Sequence, residues 1–221
     1  MLKIVVFDSG FGEELFADKL EEELPVVEVI RVIDWRNADQ LLKSPRTARH
    51  TAMVALKPYI GRVNLIVFAN HLLSTTSLSF FRRKYKNQKF LGLELPRPST
   101  FLNRPTVVLT TKALSHTFGY HNYLFKLKRD IKTICLDSWP ALIDDGELTE
   151  PMIFDAFQNF YKIHHYYPEE IILACSQFND IIMNLRNVLG QNLKIHDSYQ
   201  DALTAIGKTL RIRGGTSKRK K

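Results

Sequence analysis

Asn64-Leu-Ile-Val-Phe-Ala-Asn70 is an apolar run that ends abruptly in a polar side chain. A run of this kind, unbroken by polar alternation, reads as a strand covered on both faces. Glu170-Ile-Ile-Leu-Ala-Cys-Ser176 has the same form. Each leads straight into a small polar pair and then into helical spacing, so two parts of the chain echo one another. Five more apolar runs read as strands: Lys3 to Phe7, Val26 to Ile33, Phe90 to Leu93, Thr106 to Thr110 and Thr133 to Leu136.

Between the runs lie helical patterns. Phe178, Ile181, Ile182, Leu185, Val188 and Leu189 recur at three-and-four spacing, and Gly190 stands where a C-terminal glycine is expected. Another helix opens with Ser44 as cap and Pro45 in its first turn, and a further one with Ser198 as cap. Alternating strands and helices imply parallel sheet with right-handed crossovers. The expected fold is α/β, with two pseudo-symmetric lobes, each a mainly parallel sheet flanked by helices, and a cleft between them. The prolines of Leu95-Pro96-Arg97-Pro98-Ser99 mark the division. Residues 1–95 with 196–210 form the expected first lobe, 96–195 the second, and 211–221 a basic disordered tail.

A chain of 221 residues with 45% hydrophobic content can bury a core of this size. No apolar run approaches the roughly 20 residues that cross a bilayer, and Asp8 cuts short the opening Leu2 to Phe7 stretch, so no signal peptide is expected. Two cysteines, Cys135 and Cys175, make no disulfide framework and suit the cytoplasm. The net charge of +8 lies mostly at the end: seven of the 31 bases fall from Lys208 onward with no acid among them. The rest of the chain holds 24 bases against 23 acids. That reads as a solubilising terminus, and contact with nucleic acid or membrane through it is not expected.

In parallel sheets of this kind, ligands bind off the carboxyl ends of the strands. After the first strand stands Asp8-Ser9-Gly10-Phe11-Gly12, followed by Glu13 and Glu14. The two acids would repel an anion, and a capped turn fits the stretch as well as a phosphate cradle does. After the Asn64 run come Asn70 and His71, and after the Glu170 run Cys175, Ser176 and Gln177. Cys175 could be a small core residue or a nucleophile, and His71 a base, a ligand or a surface imidazole. Cys135, inside a strand, reads as a core residue. No Cys/His spacing resembles a zinc site.

Taken in order along the chain, several of these segments resemble the aspartate/glutamate racemase superfamily, glutamate racemase most of all. Val6-Phe7-Asp8-Ser9-Gly10-Phe11-Gly12 resembles the family's opening motif, and Lys43-Ser44-Pro45 its basic-Ser element. Val67-Phe68-Ala69-Asn70-His71 lies where the family has Ala-Cys-Asn-Thr. Leu109-Thr110-Thr111 with Tyr120 is similar to its threonine loop, Leu142-Ile143-Asp144-Asp145-Gly146 to its acidic turn, and Leu173-Ala174-Cys175-Ser176-Gln177-Phe178 to its Gly-Cys-Thr-His segment. The likeness spans about residues 3 to 208.

The resemblance implies cofactor-independent racemisation of an acidic amino acid, glutamate or aspartate, in the service of peptidoglycan synthesis. One thiolate takes the Cα proton from one face and a thiol returns one to the other. Carried over, Cys175 is an acid–base group and Asp8 its charge partner. Ser9, Asn70, Thr110, Thr111, Ser176 and Gln177 are the residues expected to hold the substrate. A homodimer is compatible with this reading.

The chain departs from the pattern where the chemistry is. Ala69 occupies the first cysteine's place, Gln177 replaces the family histidine, and Ser176 replaces threonine. Asp39-Gln40-Leu41-Leu42 stands in place of Pro-Tyr-Gly, and Glu13 in place of glycine. Three functions are therefore expected as alternatives. One is a racemase in which His71 replaces the missing thiol. Another is a single-cysteine decarboxylase similar to arylmalonate decarboxylase. The third is a catalytically inactive binding or regulatory member of the family.

Overall fold

The computed structural model describes residues 1–8, 12–34, 44–96, 104–127 and 129–212. The chain forms two compact units: residues 1–94 with the segment from Tyr199 onward, and residues 95–198. In the first, β1 (Leu2–Asp8), α1 (Gly12–Glu23), β2 (Val27–Ile33), α2 (Pro45–Leu56), β3 (Leu65–Phe68), α3 (His71–Lys84) and β4 (Phe90–Gly92) come in order. The second unit comprises β5 (Thr106–Thr110), α4 (Lys112–Ser115), α5 (Phe118–Leu127), β6 (Lys132–Cys135) and α6 (Trp139–Asp144). It continues with α7 (Glu150–His164), β7 (Glu170–Leu173), α8 (Ile182–Leu189) and β8 (Lys194–His196). The chain then returns to the first unit through α9 (Tyr199–Leu210).

Both sheets have four strands, all parallel, and both share one plan: β2-β1-β3-β4 in the first unit and β6-β5-β7-β8 in the second. The register places Val6 opposite Val67, and Leu109 opposite Leu173. Within each unit the chain leaves the first strand to one side and comes back to pair on the other. Such a reversal opens a crevice at the carboxyl ends of those two strands. In the first unit these ends are Asp8 and Ala69-Asn70, and in the second Thr110-Thr111 and Ala174-Cys175.

Burial explains why the strands read as continuous apolar runs. Ile4 and Val6 of β1 point into one layer with Phe16 and Leu20 of α1 and Leu203 and Ile206 of α9. Val5 and Phe7 point into the other with Ala52 and Leu56 of α2 and Leu73 and Phe81 of α3. Each such side chain contributes about 1.5–3 kcal/mol by leaving water. One face of the second sheet is filled by Val107, Leu109, Ile171 and Leu173 against Trp139, Ile153, Phe157, Phe160 and Leu185. Ser44 caps α2 by accepting from the Thr47 N–H at 3.1 Å, with Pro45 in the first turn.

Four details differ from the sequence reading. β8 was not expected, and because Lys194–His196 pairs with β7, the return to the first unit comes at Tyr199 rather than at 196. The helix expected from Phe178 is broken: Ser176–Asn179 is a 3-10 turn and α8 starts at Ile182. Asn179 donates from its side-chain amide to the Ser176 carbonyl at 2.8 Å, competing for an acceptor that a continuing helix would use. Cys135 is exposed at the carboxyl end of edge strand β6 and is not a core residue. The stretch around Ser9, the Asp39 to Leu42 segment and the tail from Arg213 lie outside the described residues.

β4 comes unusually close to α3. Gly92 pairs with Phe68, and a Cβ on Gly92 would stand 2.8 Å from the Ser74 Cβ, while Ser74 donates its hydroxyl to the Phe68 carbonyl at 3.2 Å. Gly92→Ala is expected to destabilise the chain by roughly 1–3 kcal/mol in urea unfolding. Adding Ser74→Gly, which removes the obstructing atoms, should return part of that loss.

Candidate functional site

The first unit supplies a small polar constellation at its crevice. Asp8, the last residue of β1, is 1% exposed. Asn70 lies two residues past β3 and works in two directions. Its Oδ1 accepts from the Leu73 N–H at 2.9 Å, capping α3, and its Nδ2 donates to Asp8 Oδ1 at 2.9 Å. The helix N–H needs an acceptor and the carboxylate needs a donor, so only one orientation of the amide serves both. Between them, Ala69 donates its backbone N–H to the Phe7 carbonyl at 2.9 Å. Its methyl group is fully buried with Val6 and Val67.

His71 opens α3 and is 3% exposed. Burial pushes its imidazole down from 6.5 to about 4. At neutral pH the ring is therefore neutral, and a site with that affinity for protons is a weak general base.

The second unit places its polar groups at the equivalent strand ends. Thr110 ends β5, fully buried, and its hydroxyl leans toward the Thr111 carbonyl at 3.5 Å. Thr111 stands at the N-cap of α4 without making a side-chain capping bond. Cys175 is half-buried and extended, with φ −145 and ψ 137. Its thiol donates to Gln177 Oε1 at 3.0 Å, and the Ser176 hydroxyl donates to the same oxygen at 3.1 Å. The Gln177 side chain also hydrogen-bonds Asp144, at the end of α6. Partial desolvation pushes the Asp144 carboxyl up, against the lowering effect of that bond, and Asp145 pushes it further. Asp180 is raised first by desolvation and then by Asp144.

The alignment of the two sheets makes Ala69 the counterpart of Cys175, Asn70 of Ser176 and His71 of Gln177. One unit thus brings Asp8, Asn70 and His71 together, and the other Thr110, Thr111, Cys175, Ser176 and Gln177. Ser9 lies outside the described residues. The sequence reading did not connect Asp144 with Gln177, which are far apart along the chain. Nor did it place Cys135 at the rim, where its thiol lies 3.5 Å from the Ser115 hydroxyl. Nearby, Tyr120 hydrogen-bonds Thr133 at 2.7 Å. Its phenol is pushed up to about 12, by burial first. Among the described residues, no group of three His, Cys, Asp or Glu side chains could hold a metal ion, and no helix is long and apolar enough to cross a membrane.

Two four-stranded parallel units of one topology, each with polar groups where its strand order reverses, define a two-unit α/β protein with strand-end sites. No family model matches the chain. It is similar to the glutamate racemase of Roseiflexus sp. (strain RS-1), 23% identical over 219 residues covering 96% of this chain and 80% of that protein. The structure of Escherichia coli glutamate racemase in complex with L-glutamate and the activator UDP-MurNAc-Ala matches with a TM-score of 0.80 and 18% identity, over 97% of this chain and 84% of that one. Campylobacter jejuni glutamate racemase matches with a TM-score of 0.78 and 21% identity, over 99% and 89%. The fold of this chain is that of the aspartate/glutamate racemase superfamily.

Burial of His71 has a consequence for stability. Its folded value, about 4, lies below the 6.5 of an exposed imidazole. Between the two the unfolded chain binds the proton and the folded chain does not, so stability falls as pH drops through that window. The loss due to this group approaches roughly 3 kcal/mol. Urea unfolding at pH 7.5 and 4.5 should register most of it, and in His71→Asn that part of the pH dependence should vanish.

Proposed function

We propose that the chain binds an acidic amino acid of the glutamate or aspartate class and moves the Cα proton on one face only, with Cys175 as the acid–base group. The observation that carries this reading is the unequal pair at equivalent strand ends, a thiol at Cys175 and a buried methyl at Ala69. Inversion needs a titrating group on each face, and a methyl group can neither take nor give a proton. His71 does not replace the missing thiol, because burial keeps its imidazole neutral and weakly basic.

Asp8 and Asn70 support the binding half of the reading. The carboxylate offers a partner for an ammonium group, and the Asn70 amide is already oriented by its cap. Thr111 adds a hydroxyl without a capping bond in the second unit. The reading needs no cofactor and places the protein in the cytoplasm, where both thiols stay reduced. A second reading, binding without turnover, is favoured by the bond that commits the Cys175 thiol to Gln177.

Both enantiomers of glutamate and aspartate, incubated with the protein in heavy water, separate these readings. One enantiomer is expected to gain deuterium at Cα with retention, at a rate lowered at least about 100-fold in Cys175→Ser. Ala69→Cys, which supplies a second thiol, is expected to add inversion. Inversion by the unaltered chain overturns the one-face reading, and calorimetric binding with no exchange selects the second.

A further inference from the structure

Gln177 is held at both ends. Its carbonyl oxygen accepts from the Cys175 thiol at 3.0 Å and from the Ser176 hydroxyl at 3.1 Å. Its amide group faces the Asp144 carboxylate. The ends cannot be exchanged, since an ionised carboxylate offers only lone pairs and must meet the NH2 group. The carbonyl is thereby left pointing at the sulfur. It accepts from S–H but has nothing to donate to a thiolate, so the bond exists only while the thiol keeps its proton.

We propose that Asp144 is a positioning residue that, through Gln177, holds Cys175 in its proton-bearing form, so that this strand end delivers a proton more readily than it removes one. Delivery breaks the S–H bond and forms a C–H bond with the lone pair of a carbanion at Cα. The thiolate left behind regains its proton from water. The inference deepens the reading of Cys175 as the proton-transfer group and rests on it for its meaning. The charged groups around this network are Asp144 and Asp145 at the end of α6 and Asp180 after the 3-10 turn. Among the described residues no ion pair involves any of the three. Their negative charge also favours the protonated thiol, so charge and orientation must be told apart.

Alkylation by iodoacetamide, followed from pH 6 to 10.5 without amino acid in a Cys135→Ser chain, does so. The midpoint is expected above the ordinary thiol value of about 8.5. Asn at position 144 can offer its own NH2 group, letting Gln177 turn and donate N–H to the sulfur. Asp144→Asn should therefore lower the midpoint by about one unit, a roughly tenfold gain in alkylation rate at pH 7.5. Asp145→Asn removes an equal charge without touching Gln177 and should move it much less. Gln177→Ala should erase the difference between the two. Equal shifts for both Asn variants, no shift, or a difference that survives Gln177→Ala would overturn the proposal. The titration uses no substrate, so absence of Cα exchange would count against the proposed function and leave this result standing.

Discussion

A strand flanked by parallel neighbours and covered by helices on both faces can carry a polar side chain only where it runs out of sheet. Everywhere else an unpaired polar atom would lose its hydration without gaining a partner, a loss of about 1–3 kcal/mol or more. β1 and β3 obey this constraint residue by residue: Ile4 to Phe7 and Leu65 to Phe68 are fully buried, and the polar groups begin at Asp8 and Asn70. β5 and β7 repeat it with Thr110 and Cys175. The concentration of chemistry at one end of each sheet is thus a by-product of how the core is closed.

The two strand ends solve the same solvation problem differently. In the first unit the Asp8 carboxylate is kept in its buried position by the Asn70 amide, which is itself fixed by a helix cap. In the second the order is reversed: a carboxylate outside the core orients an amide, and the amide holds the reactive atom. An amide cannot relay a proton as an imidazole can. Gln177 therefore fixes direction without carrying charge, whereas His71, able to carry charge, is buried where it does not.

Seven of the eight strands were legible because a doubly covered strand leaves an uninterrupted apolar run. β8 left none: Lys194-Ile195-His196 has one apolar residue and pairs on one side only. The break after Asn179 was hidden because the apolar spacing of Phe178, Ile181 and Ile182 continues across it, while the interruption comes from one side-chain bond. Candidate site residues were legible at the first polar positions past each apolar run, where a buried strand gives way to solvent. Their exposure was not, since the depth of His71 and the openness of Cys135 depend on which helix lies above them. The Asp144–Gln177 link joins segments brought together only by the packing of α6 against the 3-10 turn.

α9 gives the chain a particular order of assembly. Its Tyr199 ring meets Phe16 of α1 edge-on, with centroids 5.1 Å apart, and Leu203 and Ile206 complete the layer over Ile4 and Val6. During synthesis that cover is the last structured element to leave the ribosome, after the whole second unit. The amino-terminal half must therefore wait with one greasy side of its sheet unsealed, the condition in which chaperones bind nascent chains and neighbouring polypeptides stick together.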